Sequence, residues 1–196
     1  DPVRYLANRS SGKQGFAIAA AAAAAGAKVT LITGPVHLRT PLGVDRIDVE
    51  SAEDMARAVR EALPVDAAIM AAAVADWRTK EYNDIKIKKR GAAPPALVLA
   101  ENPDILASVA ANPKRPELLI GFAAETNDVV ANATAKRLRK GCDWIVANDV
   151  SPGTGIMGGA ENAVVLITHD NVESWPRMGK DQVAQQLALR ISQALE

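Results

Sequence analysis

Five stretches of this sequence carry residues suited to chemistry on anions. The first, Asn8-Arg9-Ser10-Ser11-Gly12-Lys13-Gln14-Gly15, stands directly ahead of an alanine-rich run. Small residues, cations and free backbone N–H groups at a helix start make a phosphate site, with Ser11, Gly12 and Lys13 as its candidates. The same residues serve equally well as a plain polar cap, and spacing alone does not separate the two. A P-loop is excluded, because Ala7 stands where that loop needs glycine and Gln14 replaces its Ser/Thr. The dinucleotide pattern G-x-G-x-x-G is absent as well.

The second stretch is Ala71-Ala72-Ala73-Val74-Ala75-Asp76-Trp77-Arg78. An alanine-lined strand end around Ala73 leaves room for a flat ligand, and Asp76 is placed to meet a metal or a ribose, or else simply to turn the chain. The third, Asp84 to Arg90, alternates Ile85 and Ile87 with Lys86 and Lys88 before Lys89 and Arg90. An extended segment would point Lys86 and Lys88 the same way, as triphosphate neutralisation requires; a solvated charged face has the same composition. In the fourth, Gly121-Phe122-Ala123-Ala124-Glu125-Thr126-Asn127, Phe122 faces a base or the core, and the helix behind it carries Lys136 and Lys140 one turn apart. The fifth is Ala147-Asn148-Asp149-Val150-Ser151 with a following loop holding four glycines between positions 153 and 159. His37, His169 and the single Cys142 stand apart from one another, so no triad or zinc site is expected. Chemistry without a His or Cys base rests on positioning and charge neutralisation, as phosphoryl and nucleotidyl transfers do.

These residues need a scaffold, and 196 residues at 48% hydrophobic predict one globular domain over 1–196. Lysine plus arginine equals aspartate plus glutamate at 23 each, so no global field recruits nucleic acid or a membrane surface. A lone cysteine, no cleavable leader and no spanning apolar run lead to the expectation of a cytoplasmic protein.

Helix-like and strand-like segments alternate. Helices are predicted over 15–25 (with Gly26 as its left-handed end), from Ser51 with Asp54 as capping partner, from Asn102-Pro103 to Ala111, over 128–140 and over 180–195. Strands are predicted over 28–33, 44–49, 66–73, 118–122 and 143–147, with 163–168 and 172–175 closing the sheet; 74–95 reads as irregular. Continuously apolar strands separated by helices predict an α/β fold: a Rossmann-like, doubly wound, mostly parallel sheet with helices on both faces. Ligands of such sheets bind beyond the carboxyl ends of the strands. No strand precedes the first helix, so a first strand is expected to lie upstream of Asp1.

Taken together, DPVRYLANRSSGKQG, AAAVADWR, KIKK, ENPDIL, GFAAETN, KRLRKGCD and ANDVS, in this order from residue 1 to about 151, resemble the phosphopantothenoylcysteine synthetase family. The resemblance implies a ligase of coenzyme A biosynthesis joining 4′-phosphopantothenate to cysteine through an acyl-nucleotide, with release of pyrophosphate. The KIKK form resembles the bacterial, CTP-using type, which implies an acyl-cytidylate and Mg2+ (or Mn2+). It further implies that Asn8 holds the acyl-cytidylate with Arg4 close by, that Asp76 meets the nucleotide and its cation, and that Lys86 binds the triphosphate. Ala73, Pro103, Asp104, Ile105, Leu106 and Phe122 would frame the cytidine pocket, Lys136 and Lys140 would meet the phosphates, and Asn148 would contact substrate. A homodimer is implied, and Leu97–Ala100 is expected to form part of its contact. Fusion to an upstream flavin-dependent decarboxylase is implied too, with no flavin in this chain.

Two other readings remain on the residues alone. One is a Rossmann-type oxidoreductase, disfavoured by the missing glycine pattern and by Gly34-Pro35 where an acidic residue should follow the strand. The other is a non-catalytic nucleotide-binding module; cysteine-dependent nucleotide turnover separates the ligase from both.

Overall fold

Alanine loses no side-chain freedom on entering a helix. The alanine-rich run accordingly forms α1 (Lys13–Ala24) in the computed structural model, which describes residues 1–88, 96–156 and 158–196. Gly12 enters this helix at φ 70, and a Cβ there would come within 3.1 Å of Val36, so both its backbone and its surroundings require glycine. Lys89 and Arg90 of the charged run, and Met157 of the glycine-rich loop, lie outside the described residues.

Two parallel strands, β1 (Val29–Thr33) and β2 (Val44–Asp48), lead into α2 (Ala52–Ala62). The capping box expected of Ser51 and Asp54 is present: the Asp54 N–H donates to Ser51 Oγ at 3.0 Å, and the Ser51 N–H donates back to the Asp54 carboxylate at 3.3 Å. Next come β3 (Ala67–Met70), β4 (Trp77–Thr79), β5 (Leu99–Glu101), α3 (Ile105–Ala110), β6 (Leu118–Glu125), α4 (Val129–Lys140) and β7 (Trp144–Asp149). The chain closes with β8 (Glu161–Asn162), β9 (Val164–Ile167), β10 (Val172–Ser174), β11 (Met178–Gly179) and α5 (Lys180–Leu195).

The main sheet runs β10-β9-β7-β6-β3. Its centre is parallel, with Ile69 opposite Ile120 and Phe122 opposite Val146, while β9 and β10 add antiparallel. Side chains alternate along β6. Leu119 and Ala123 pack with Met55 and Val59 of α2, Ile105 and Val109 of α3 and Ala133 of α4; Leu118 and Ile120 pack with Ile18 of α1 and with Val183 and Leu187 of α5. Both faces of the sheet are therefore covered, which is the expected α/β class. Leu119, Ile120 and Ile145 are fully buried, and truncating any of them to alanine would cost about 2–5 kcal/mol.

Three local expectations are corrected. The stretch 74–95 is not wholly irregular, because Trp77–Thr79 pairs antiparallel with Leu99–Glu101, forming a two-stranded arm. Asn102 does not cap α3; Asp104 does, accepting the Ala107 N–H at 3.1 Å, while the Asn102 side chain is committed elsewhere. The pair β8–β11 was not expected at all. Among the described residues, no helix is long and apolar enough to cross a membrane.

Candidate functional site

Parallel strands place their carboxyl ends on one edge of the sheet, and the backbone leaving β3 there is held from two sides. Asn8 Nδ2 donates to the Val74 carbonyl at 3.0 Å. Asn102 Nδ2 donates to the Ala75 carbonyl at 2.9 Å, and its N–H donates to the Asp76 carbonyl at 2.8 Å. These bonds join the first polar loop, the alanine strand end and the entry to α3, leaving Ala73 and the Asp76 carboxylate exposed beside them.

Arg4 plays a bracing part. Its Nη2 donates to the Ile87 carbonyl and to the Asp1 carboxylate, each at 2.6 Å, and the same carboxylate accepts the Ile87 N–H at 3.3 Å. The N-terminal loop thereby fixes the backbone one residue beyond Lys86, whose side chain is exposed.

A second group forms between α3 and α4. Asp104 pairs with Lys140, and Lys136 donates to the Phe122 carbonyl at 2.9 Å. Burial pushes the Asp104 carboxyl up, but the bonds from Lys140 and the Ala107 N–H outweigh it and leave the group below its ordinary range. Burial lowers Lys136, with Glu125 pulling it back up and Lys140 pushing it further down. Leu106 lies over Gly121: a Cβ on that glycine would stand 2.8 Å from the Leu106 side chain and 3.4 Å from Cys142 Sγ. Asp104 thus meets Lys140 and Leu106 lies against the strand that carries Phe122, while Ile105 is buried in the core. The Phe122 ring does not join them, since it packs on the α1/α5 face of the sheet.

On that other face, Arg9, Ser10, Ser11 and Gly158 line an open cleft of about 340 Å³. Lys13 Nζ donates to the Gly158 carbonyl at 3.0 Å. Asn148 is connected to this loop by a chain of amides: its Nδ2 donates to Asn162 Oδ1 at 3.2 Å, Asn162 Nδ2 donates to Gln14 Oε1 at 3.2 Å, and Gln14 Nε2 donates to the Lys180 carbonyl at 3.0 Å. Asn162 and Lys180 were not anticipated from sequence, and Gln14 was read only as part of the first polar motif.

Other reactive groups stay out of the site. Cys142 is buried, and burial raises its thiol above the ordinary range, so the thiolate is disfavoured. His169 is exposed beside Asp170 at 2.6 Å. Among the described residues, no group of three or more His, Cys, Asp or Glu side chains converges as a metal cage. The arrangement is thus a set of cations and amides around a strand edge, suited to holding phosphates and a carboxylate.

Known proteins share this sequence and fold. Residues 1–195 match the family described as DNA/pantothenate metabolism flavoprotein C-terminal domain. The coenzyme A biosynthesis bifunctional protein CoaBC of Vibrio cholerae is 48% identical over 186 residues, which is 94% of this chain and 47% of that protein. The chain thus spans about half the length of the curated relatives it matches. A crystal structure of the C-terminal domain of a coenzyme A biosynthesis bifunctional protein CoaBC superposes with TM-score 0.83 at 38% identity, covering 100% of this chain and 88% of that one. A Cab2 mutant in complex with phosphopantothenate-cysteine shares the fold at TM-score 0.76 and 14% identity, covering 98% of this chain and 80% of its own.

Proposed function

This chain belongs to the DNA/pantothenate metabolism flavoprotein C-terminal domain family, and from that premise we propose that it is a phosphopantothenate–cysteine ligase domain that uses CTP. The observation that carries the reading is the convergence of Asn8 and Asn102 on the 74–76 backbone, which brings the first polar loop, Asp76 and the start of α3 around one strand end.

The reaction has two steps. A carboxylate oxygen of 4′-phosphopantothenate attacks the α-phosphorus of CTP, forming a P–O bond and breaking the bond to the β-phosphate, so that pyrophosphate leaves. The cysteine amine then attacks the acyl carbon of the acyl-cytidylate; the C–N bond forms, the C–O bond breaks, CMP leaves, and the amine gives up its proton to solvent. The first step brings two anions together, and its main barrier is their repulsion.

Lysines oppose that repulsion. Lys86, fixed at its neighbour Ile87 by Arg4 and Asp1, reaches the triphosphate, and Lys136 and Lys140 meet it from α4. Pro103 and Leu106 offer an apolar wall to the base, with Ile105 buried in the core behind them. The Phe122 carbonyl keeps Lys136 in place, a role that does not require its ring to face the nucleotide. Asn8, whose amide bonds only the Val74 carbonyl among the described residues, holds the acyl-cytidylate through both steps with its remaining amide groups. Ser11, Gly12, Lys13 and Asn148 belong to the substrate side of the site. Asp76 is a lone exposed carboxylate, which suits Mg2+ or Mn2+ arriving with the nucleotide phosphates and supplying further charge neutralisation there.

We further assign residues 1–196 to a single ligase domain that works as a homodimer in the cytoplasm, joined in the longer protein to a decarboxylase half. The exposed Leu97, Val98 and Leu99 of the two-stranded arm support a subunit contact that includes Leu97–Ala100. Sedimentation at micromolar concentration checks the dimer, and a monomer there would remove it.

The chemical test is product identity. With 4′-phosphopantothenate, cysteine, CTP and Mg2+, mass spectrometry should find phosphopantothenoylcysteine and equimolar CMP. Hydrolysis of CTP with no amide product would overturn the ligase reading and leave a nucleotide-binding module.

A further inference from the structure

Backbone carbonyls that leave regular structure need donors from elsewhere. Residues 71–76 belong to neither helix nor strand, and Asp76, whose exposed carboxylate suits a nucleotide-borne cation, stands at their end. Two donors of one residue hold it. Asn102 Nδ2 donates to the Ala75 carbonyl at 2.9 Å, and the Asn102 N–H donates to the Asp76 carbonyl at 2.8 Å. Those two carbonyls belong to the planar peptide groups that flank the Asp76 Cα. With both planes held, the direction in which the Asp76 side chain leaves the backbone is held too, because a residue has only two soft backbone dihedrals.

Asp76 needs such a hold. Among the described residues no group of three or more His, Cys, Asp or Glu side chains converges, so Asp76 belongs to no cage whose other ligands would fix a cation in place. Asn102, in turn, is braced on both sides. Before it, the β4–β5 ladder pairs Trp77 with Glu101, and the Arg78 guanidinium donates to the Glu101 carbonyl. After it come Pro103, whose ring locks its own φ, and Asp104, which caps α3 and pairs with Lys140. The 71–76 turn has no ladder of its own, so Asn102 is the fixed member and the turn is the part positioned. An asparagine at a helix start ordinarily serves as its cap. Here that task falls to Asp104, and the Asn102 amide is committed to the turn.

We propose that Asn102 is a positioning residue of the site. It sets the Asp76 carboxylate for the divalent cation that accompanies the nucleotide phosphates, and it ties that carboxylate to the start of α3, where Pro103 and Leu106 wall the base. The inference rests on the ligase reading for the role of Asp76, and adds a residue that acts through Asp76 rather than on the nucleotide.

Calorimetry of CTP binding to the whole chain, once with Mg2+ and once with EDTA, tests this on wild type, Asn102→Ala, Asp76→Asn and the double variant. Alanine removes the Nδ2 donor and keeps the backbone N–H. In wild type, Mg2+ should tighten CTP binding. Asn102→Ala should lose about fivefold of affinity in Mg2+, the effect of one hydrogen bond, and keep its affinity in EDTA. In the Asp76→Asn background the same substitution should cost nothing further, since a residue that acts through a carboxylate has no effect once that carboxylate is gone. If Asn102→Ala does not fold, Asn102→Leu, which fills the volume without the donor, carries the same prediction. A purely structural part would lower the melting temperature and leave the Mg2+ effect at its wild-type size, and that result overturns the proposal. Equal losses in Mg2+ and in EDTA overturn it as well, because Asn102 would then act on the base wall alone. So does a wild type whose CTP affinity ignores Mg2+. The ligase reading fails separately. Loss of Mg2+-dependent affinity in Asn102→Ala, in a chain whose wild type makes no amide product, keeps the positioning role and sinks the ligase. Amide synthesis by wild type with a full Mg2+ effect in Asn102→Ala does the reverse.

Discussion

Lys136 and Lys180 lie on opposite faces of one sheet, and burial lowers the pKa of both, yet their neighbours act in opposite senses. Glu125 pulls Lys136 back towards its ordinary value, while Lys13 pushes Lys180 further from it. Beside Lys136, Lys140 is already paired with the Asp104 carboxylate; among the described residues the Lys180 ammonium donates to the Ile156 carbonyl and that of Lys13 to the Gly158 carbonyl. The α4 side is therefore balanced by the protein itself, and a nucleotide must compete with Asp104 and the Phe122 carbonyl. The α1/α5 side carries positive charge that the chain leaves uncompensated among its described residues.

The comparison concerns binding, so chemistry should fail in a variant that touches neither set. Asn8→Ala is that variant. Its side chain is exposed and among the described residues makes a single bond, to Val74, so stability should change by no more than about 0.5 kcal/mol. Amide synthesis should fall about a hundredfold or more, the scale of losing one positioned group at the reacting centre. Steady-state turnover at saturating nucleotide reads this directly, and wild-type turnover would remove Asn8 from the mechanism.

Gly121→Val should injure one side alone. The added Cβ meets Leu106 at 2.8 Å, and overpacking of this kind costs about 1–3 kcal/mol. Urea melts should report that loss together with weaker CTP binding. Unchanged CTP binding in a destabilised variant would remove the Leu106 contact from the nucleotide site.

Lys140→Met is milder. Asp104 keeps the Ala107 N–H but loses its cation, and because the pair is partly exposed the stability change should stay under about 1 kcal/mol. CTP binding should weaken by about tenfold. Isothermal titration of both quantities tests whether the pair is a resting brace or only a surface contact.

The smallest effects lie in pH. The folded pKa of Asp104 is below its ordinary value of 3.8, so its contribution to stability is present above about pH 4 and is lost as pH falls through the lower, folded value. Lys136 has the opposite sense. Its folded pKa lies below 10.5, the unfolded chain binds more protons in the window between, and stability should rise there with pH. Lys136→Met should flatten the alkaline rise and leave the acid limb alone, as followed by denaturant melts at stepped pH.

Much of this scaffold could be read from residue pattern. Continuously apolar strands and an alanine helix determine local structure almost by themselves, and Ser51 with Asp54 specifies a helix start within four residues. What escaped depended on distant chain. Trp77–Thr79 has no alternating pattern and becomes a strand only through pairing with Leu99–Glu101. Asn102 and Asp104 are both good caps; tertiary demand for Asn102 at the Ala75 carbonyl leaves the capping to Asp104. Within the site, Asn8 and Asp76 were legible because each stands in a dense motif at a strand or helix end. Lys180 was not, since a lysine opening an amphipathic helix ordinarily faces solvent, and its burial arises from a loop 24 residues earlier. The Phe122 ring could not be assigned a face until the register of β6 was known, because a strand alternates its sides at every residue.

The most direct test of the ligase account is pyrophosphate release by this chain with CTP and Mg2+, with ATP in parallel, measured with 4′-phosphopantothenate alone, cysteine alone and both together. The account predicts no release with cysteine alone, at most a single stoichiometric burst with phosphopantothenate alone, and sustained release, faster with CTP than with ATP, only when both are present. Sustained release that ignores phosphopantothenate and cysteine would contradict it.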